Sequence, residues 1–441
     1  MIGLLITIVL FPLVGWSVAR RGWGETFLFG VGLTGAILFL AGVVHVPLAI
    51  ALAGIVLTAG VRLFAMWRSP HRRQRTANNP LATIALASPL LVLAFVSAVV
   101  PLNDFDGRAF WVLKAKAIAH ERSIDGPFFH GATRPRNHYP ILIPLDGAVI
   151  LSLSHDLDDR QLRWLYVGLL AALALLVRER ITKLVSPGAG AWCAALLVWI
   201  PQFTVETEGG ALSAYNDIAI AAFAAGAFFE LAAEGSGSRA VSERSAIGPD
   251  DLAMSRPLDL AAIRFGLWLV FLVLTKSEGL PFALVFLTIG IFVFRKRIIT
   301  PAIVTAIAAV ALLIWRARIP TGDEEDYVRM LPTIPQKLHH LGTALAAFPR
   351  HMLNFPSWGL FWIAVVIAAV FAVRVDRRVA LLAIAVITSM LGVYCAVYVA
   401  TEWVPAELIA VTANRLLMHL VAPGLFLLAL APQRWTRTKS M

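Results

Sequence analysis

Long apolar runs separated by short polar stretches make up most of this chain. Runs of ~15–22 apolar residues are long enough to cross the ~30 Å hydrocarbon layer of a bilayer as α-helices. A shorter apolar piece at 141–153 contains Pro144 and Asp146, and we expect it to be re-entrant or interfacial. The pattern predicts about thirteen membrane-spanning helices, at residues 2–19, 26–44, 47–66, 81–101, 160–178, 189–203, 215–232, 261–275, 280–294, 298–316, 357–373, 379–400 and 415–431.

The composition agrees with this pattern. Of 441 residues, 59% are hydrophobic and only 15% are charged, and the mean hydropathy is +0.77. A soluble domain could not bury so large an apolar fraction. We therefore predict an all-α integral membrane protein. The first apolar run lacks a basic leader and a small-residue cleavage site, so we expect a retained helix and not a signal peptide.

The charged residues predict the orientation of the helices. The net charge is +11, and Lys and Arg cluster in short loops as the positive-inside rule requires, so nucleic acid is not an expected partner. The N-terminus is then outside and the C-terminus inside. This topology places the basic clusters in the cytoplasm, at 20–21, 67–75, 178–183, 295–297, 374–378 and 434–439. It places the acidic stretches outside, at 104–106, 154–159, 206–210 and 322–326.

Four regions follow from the distribution of polar loops. In chain order they are an N-terminal three-helix segment with a basic cytoplasmic loop (1–80), a membrane core (81–316), an extracytoplasmic cap (317–356), and C-terminal membrane helices with a basic tail (357–441). The core includes an outer loop, 102–140, and a cytoplasmic loop, 233–260, which is rich in Gly, Ser and charge and is predicted to be flexible.

The outer loop 102–140 carries two carboxylates, Asp104 and Asp106, just before a predicted helix at 107–121. Asp106 is either the N-cap of that helix or a functional acid, such as a general base or a metal ligand. Lys114 and its neighbours alternate with apolar residues at helical spacing. That pattern predicts a helix lying in the membrane interface with its cations at the level of the headgroups.

Further polar residues interrupt the apolar runs on the same predicted face. Asp217 lies just inside a helix, where a carboxylate is unfavourable unless it is paired or hydrated, so a functional role is the default hypothesis. Short spans flank Lys276 and Glu278, and such interruptions mark sites in membrane proteins. Arg415 and His419 are four residues apart and share a helix face. They are either snorkelling residues or a clamp for a lipid phosphate. The His138-Tyr139 pair either anchors the interface or lines a pocket.

Carboxylates and cations at one membrane surface fit sugar transfer from a polyprenyl-phosphate donor. One carboxylate would deprotonate the acceptor hydroxyl, and cations would stabilise the departing phosphate. Two alternatives stay open. A transporter or lipid flippase would explain the broken spans, although no repeat symmetry is evident. An O-antigen-type polymerase or ligase would rely on outer-loop arginines such as Arg134, Arg136 and Arg350.

Five short motifs, in this order, resemble the GT-C superfamily of polytopic membrane glycosyltransferases, in particular the protein mannosyltransferase and lipid A aminoarabinose transferase groups. The resemblance spans 81–432 and leaves three spans before it. Ser277 stands where the family usually has Asn, and Ile218-Ala219 lacks the usual proline. The motifs are FDGRAFWVLKAKAI (105–118), HYPILIPL (138–145), AYNDIAIAAF (214–223), TKSEG (275–279) and NRLLMHLVAP (414–423).

The resemblance implies a GT-C-like fold with interfacial helices on the extracytoplasmic face of a bacterial inner membrane. It also implies a polyprenyl-phosphate sugar donor, a glycan, lipid or protein acceptor, and inversion at the anomeric carbon. No cofactor is then required; the alternative is a divalent cation (Mg²⁺, Mn²⁺ or Ca²⁺) held by the three carboxylates. The implied roles are as follows: catalytic Asp106 supported by Asp104 and Asp217; phosphate-binding Lys276, Arg415 and His419; and pocket residues His138, Tyr139, Glu278 and Lys114.

Overall fold

The computed structural model describes residues 2–16, 18–19, 22–68, 79–131, 136–204, 209–237, 259–320 and 331–433. Of the described residues, 83% are helical and none forms a strand. In chain order the helices are α1 (Ile2–Gly15), α2 (Trp23–Val43), α3 (Leu48–Arg68), α4 (Pro80–Val99), α5 (Leu113–Glu121), α6 (Pro127–His130), α7 (Leu142–Ser154), α8 (Asp159–Leu184), α9 (Pro187–Trp199), α10 (Pro201–Thr204), α11 (Asp217–Gly235), α12 (Leu260–Thr275), α13 (Gly279–Phe294), α14 (Ile299–Arg318), α15 (Leu341–Met352), α16 (Phe355–Trp358), α17 (Phe361–Val375), α18 (Arg377–Ala400), α19 (Pro405–Met418) and α20 (Val421–Leu430).

Five helical segments of the described chain are long and apolar enough to cross a membrane, or six if the bent pair α19 and α20 forms one span. Shorter apolar helices of 10–17 residues accompany them. These features agree with the predicted all-helical, multi-pass membrane protein, and the count of thirteen crossings stays a prediction. One predicted span is wrong in detail. The run at 415–431 is not one helix, because α19 and α20 meet at an angle of 48°.

Helix α11 is the centre of the bundle. It is buried along almost its whole length and packs against α8, α12, α13, α18 and α20. Its sequence is rich in Ala, and small side chains let neighbouring helices approach closely in a membrane. At Gly226 a Cβ atom would lie 2.5 Å from the Trp268 ring, so only glycine fits there. Polar residues at the two ends of α11 are thereby surrounded by several other helices.

The outer loop folds partly as predicted. A π-helical segment, Gly107–Val112, continues directly into α5. The predicted placement of its cations at headgroup level is wrong for Lys114, which is fully buried. Lys116 pairs with Asp159 at the start of α8. His120, the last basic residue of this helix, is exposed, whereas Lys114 and Lys116 are not. The helix therefore packs onto the protein with one cation turned inward.

The predicted cap is helical where it is described. A 3₁₀ segment, Leu331–His340, precedes α15 and α16. The 3₁₀ segment packs on α18, and α15 packs on both α18 and α19. Several predicted features lie outside the described residues: the basic stretch 69–75, the acidic stretches 206–208 and 322–326, most of the cytoplasmic loop 233–260, and the tail 434–439.

Candidate functional site

Four predicted site residues meet at the N-terminal end of α11. Asp217, the first residue of the helix, is fully buried. Its Oδ1 accepts a hydrogen bond from Lys276 Nζ at 2.9 Å, and its Oδ2 accepts one from Arg415 Nε at 3.2 Å. His419 Nε2 lies 3.5 Å from Oδ1. The helix N-terminus adds its own positive potential. Asp217 is thus a structural anchor that positions the two cations.

His419 lies behind this anchor. The bend between α19 and α20 turns it into the bundle, where its Nδ1 is 2.8 Å from the Tyr394 hydroxyl. It is fully buried and does not line the cavity that Arg415 lines. Arg415 and His419 are therefore close together as predicted, but both side chains approach the Asp217 carboxylate. A direct contact between His419 and a donor phosphate stays a prediction.

Asp106 and Asp104 differ in their partners. Asp106 Oδ2 lies 3.5 Å from Arg415 Nη1 and 3.6 Å from Arg136 Nη1. The N-cap alternative for Asp106 is wrong, because its side chain makes no capping hydrogen bond. Asp104 fills that role, accepting from the Gly107 amide at 3.4 Å. Burial raises the pKa of the Asp104 carboxyl, and hydrogen bonds from Tyr215 and the Gly107 amide oppose the increase.

Gly107 fixes the loop of Asp106 against the loop that precedes Asp217. A Cβ atom on Gly107 would lie 2.0 Å from the carbonyl oxygen of Ser213, so no larger residue fits. Arg163 of α8 joins the same two loops from behind. Its guanidinium donates to the carbonyl oxygens of Val100 and Leu212. The two acidic segments are therefore held together by backbone contact and by one buried cation.

A cavity of about 440 Å³ lies beside these charges. One end is cationic and is formed by Arg136, Lys276, Arg316 and Arg415, with the Glu278 carboxylate among them. The remaining wall is mostly apolar. Leu284 of α13 lines the cavity and is 56% exposed, so the cavity is open at this helix. The apolar lining residues include Leu280, Pro281, Leu284, Val393, Ala396, Val397, Ala400, Leu408 and Leu416.

The predicted pocket residues divide into two groups. His138, Tyr139 and Glu278 line the cavity. Lys114 does not, because its ammonium group donates to the carbonyl oxygens of Arg136 and Tyr139 from behind the wall. Lys114 therefore shapes the loop that carries the lining residues.

Two arginines of the cavity were not among the predicted site residues. Arg136 was considered only for the ligase alternative, and Arg316 stands at the end of a predicted span, where a basic residue is typical of snorkelling. Arg316 Nε donates to the His138 carbonyl at 2.9 Å, and its Nη2 donates to Ser277 Oγ at 3.1 Å. The sequence offered one indication for both arginines: each is predicted to lie on the same face of the membrane as Asp106.

The three carboxylates fit a divalent cation poorly. Asp217 already contacts Lys276, Arg415 and His419, and Asp106 contacts two arginines. A divalent ion would have to displace these cations or bind among like charges. Among the described residues, no group of three His, Cys, Asp or Glu side chains is arranged to hold a metal ion. Dependence on a metal stays a prediction, and no chemical step below uses one.

Comparison with known proteins adds no assignment. No protein-family model, curated protein or solved structure matches this chain. A fold alone does not define an activity, so function follows from the chemistry of the site.

Proposed function

We propose that the protein is a membrane glycosyltransferase that moves a sugar from a polyprenyl-phosphate donor to an extracytoplasmic acceptor. The observation that carries the proposal is the cavity. Its cationic end suits a phosphate, since charge-assisted hydrogen bonds to phosphate oxygens are among the strongest in proteins. Its apolar wall, open at Leu284 of α13, suits the hydrocarbon chain of a lipid donor. A soluble nucleotide-sugar would not need such a wall.

The charged residues support a single displacement. Asp106 accepts the proton of the acceptor hydroxyl while that oxygen attacks the anomeric carbon of the sugar. The new bond joins the acceptor oxygen to the anomeric carbon, and the bond between that carbon and the phosphate oxygen breaks. Its electron pair leaves with polyprenyl phosphate, whose charge the cations of the cavity stabilise. No general acid is needed, and attack opposite the leaving group inverts the anomeric configuration.

The test is release of polyprenyl phosphate by purified protein in detergent. A panel of polyprenyl-phosphate sugars is offered, with an extract of delipidated membranes as a source of acceptors. We expect Asp106→Asn to lower the rate by about 10²–10⁴-fold, the usual contribution of a positioned base. Asp156→Asn is the matched control, because Asp156 is an exposed acid outside the cavity. Release by wild type and Asp106→Asn alike would remove Asp106 from the mechanism, and release by neither would contradict the donor class.

A ligase that uses a lipid-linked glycan is the second candidate. The observation that favours it is the position of Arg136, an outer-loop arginine that lines the cavity and touches Asp106. Arg350 is exposed on α15, and Arg134 lies outside the described residues. An arginine-driven ligase would keep its activity in Asp106→Asn and lose it in Arg136→Gln. A carboxylate-based glycosyltransferase would show the largest loss in Asp106→Asn.

A further inference from the structure

Arg136 belongs to two parts of the site at once. Its side chain lines the cavity, and its Nη1 lies 3.6 Å from Asp106 Oδ2. Its guanidinium also lies over the Phe110 ring, 4.6 Å from the ring centroid. Asp106 itself is not among the residues that line the cavity. The arginine therefore stands between the proposed base and the proposed place of the donor phosphate.

The backbone of Arg136 is strained. Its φ is 60°, in the left-handed region that favours glycine. This conformation is unfavourable for residues other than glycine and persists only where surrounding contacts enforce it. Buried Lys114 donates a hydrogen bond to the Arg136 carbonyl and holds this conformation. The hydrogen bond from Lys114 thus helps to keep the Arg136 side chain at the boundary between the cavity and the Asp106 carboxylate.

Arg415, the other partner of Asp106, is more deeply buried than Arg136. Two of its guanidinium nitrogens lie 3.2 Å from Asp217 Oδ2, and its guanidinium stacks 4.3 Å from the Tyr215 ring centroid. Its side chain is 10% exposed, whereas that of Arg136 is 34% exposed. Of these two cations, Arg136 has more room to change partners.

We infer that Arg136 is a phosphate-binding residue that is shared between Asp106 and the donor. In the empty site Arg136 pairs with Asp106 and holds the carboxylate away from a hydroxyl. A donor phosphate in the cavity competes for the same guanidinium and releases the carboxylate from this partner, so that it can accept a proton from a hydroxyl. The inference rests on the proposed function and deepens it, because it makes the base available only after the donor has bound.

A double-mutant cycle on equilibrium binding tests this exchange. The probe is farnesyl phosphate, a short polyprenyl monophosphate, titrated calorimetrically into the purified full chain in detergent. We expect Arg136→Gln to weaken binding by about tenfold or more, since it removes a charged hydrogen bond. We expect Asp106→Asn to tighten binding about three- to tenfold, because the carboxylate no longer competes for Arg136. In the Arg136→Gln background, Asp106→Asn should then have a clearly smaller effect, because only the contact of Asp106 with Arg415 is released.

Three controls separate the outcomes. Asp156→Asn removes a distant negative charge and should leave binding unchanged. Arg136→Lys keeps the charge and should recover part of the affinity, which shows that the loss in Arg136→Gln is not misfolding. Titrations with farnesol, which lacks the phosphate, and with inorganic phosphate, which lacks the lipid chain, show which part of the probe is recognised.

Two results would overturn the inference in different ways. A tightening by Asp106→Asn that persists undiminished in the Arg136→Gln background would remove Arg136 from the exchange, with the donor site intact. Equal affinity of wild type for farnesyl phosphate and farnesol would instead contradict the proposed donor class itself.

Discussion

The two ends of α11 carry two charged clusters of different character. At its start, Asp217 joins Lys276 and Arg415 beside the cavity. At its far end, about 20 Å away at a rise of about 1.5 Å per residue, Glu230 accepts a hydrogen bond from Arg180 Nη2 at 2.7 Å. We call these the outer and the inner cluster.

The inner cluster is sealed. Arg180 of α8 also bonds Glu25 of α2 at 2.7 Å, and Arg264 of α12 lies 3.5 Å from Glu230. The side chains of these four residues are at most 3% exposed. These ion pairs join four helices through one buried network.

The outer cluster is built from the same residue types but adjoins the cavity, because Lys276 and Arg415 line it and Asp106, which contacts Arg415, is 23% exposed. Ion-pair networks of these residue types also occur where they are purely structural. The comparison teaches that access, together with an adjoining apolar cavity, separates a candidate binding site from a structural clamp.

The largest expected effect on stability belongs to the inner cluster. Glu230→Gln removes the carboxylate that Arg180 and Arg264 share, which leaves their buried positive charge only partly compensated. We expect a loss of about 3–5 kcal/mol in the free energy of unfolding, measured by denaturant unfolding in detergent. Farnesyl phosphate binding per folded molecule should stay unchanged. A stable variant with weakened binding would abolish the distinction between the clusters.

The next effect concerns ligand affinity at the outer cluster. Arg415→Ala removes a cation that lines the cavity, and we expect farnesyl phosphate binding to weaken about 10- to 100-fold, the range for hydrogen bonds to charged groups. Arg350→Ala is the control, because this arginine is exposed on α15 and does not line the cavity. If both variants bind like wild type, Arg415 is a structural residue like those of the inner cluster.

A smaller effect is expected for a buried carboxylate that belongs to neither cluster. Asp146 of α7 is fully buried, and neither of its carboxylate oxygens has a hydrogen-bond partner among the described residues. Asp146→Asn therefore removes no hydrogen bond or ion pair and should change the free energy of unfolding by less than about 1 kcal/mol. A loss as large as that of Glu230→Gln would reveal a partner for this carboxylate.

The smallest effect is a pH dependence of stability at Asp104. Burial raises the pKa of this carboxyl above its ordinary value of 3.8, so the native state binds the proton more tightly than the unfolded chain. Stability is then lost as the pH rises from 3.8 through the raised native pKa. Asp104→Asn should accordingly gain stability relative to wild type between pH 4 and pH 7, measured as the unfolding midpoint.

Asp158→Asn is the control of opposite sign. A hydrogen bond from Arg160 lowers the pKa of Asp158, so this carboxyl stabilises the protein above its ordinary pKa and loses that effect in acid. The variant should be less stable than wild type at pH 7, with a difference that disappears as the pH falls. The same sign for both variants would contradict the assignment at Asp104.

Much of the candidate site was readable from polar interruptions in apolar runs. Asp106, Asp217, Lys276 and Arg415 are brought together as predicted. The predictions were wrong where they depended on the direction in which a side chain points. Lys114 fits an interfacial stripe by its spacing, yet it faces inward because the loop carbonyls of Arg136 and Tyr139 need a donor.

The sequence alone determined that the chain is helical and apolar enough for a membrane, because run length and hydropathy are local properties that each segment carries by itself. Only the tertiary structure decided which charges share a partner. Arg415 and Asp217 are 198 residues apart, and no local periodicity encodes the packing order of the helices between them. The same packing leaves one end of α11 open beside a cavity and closes the other.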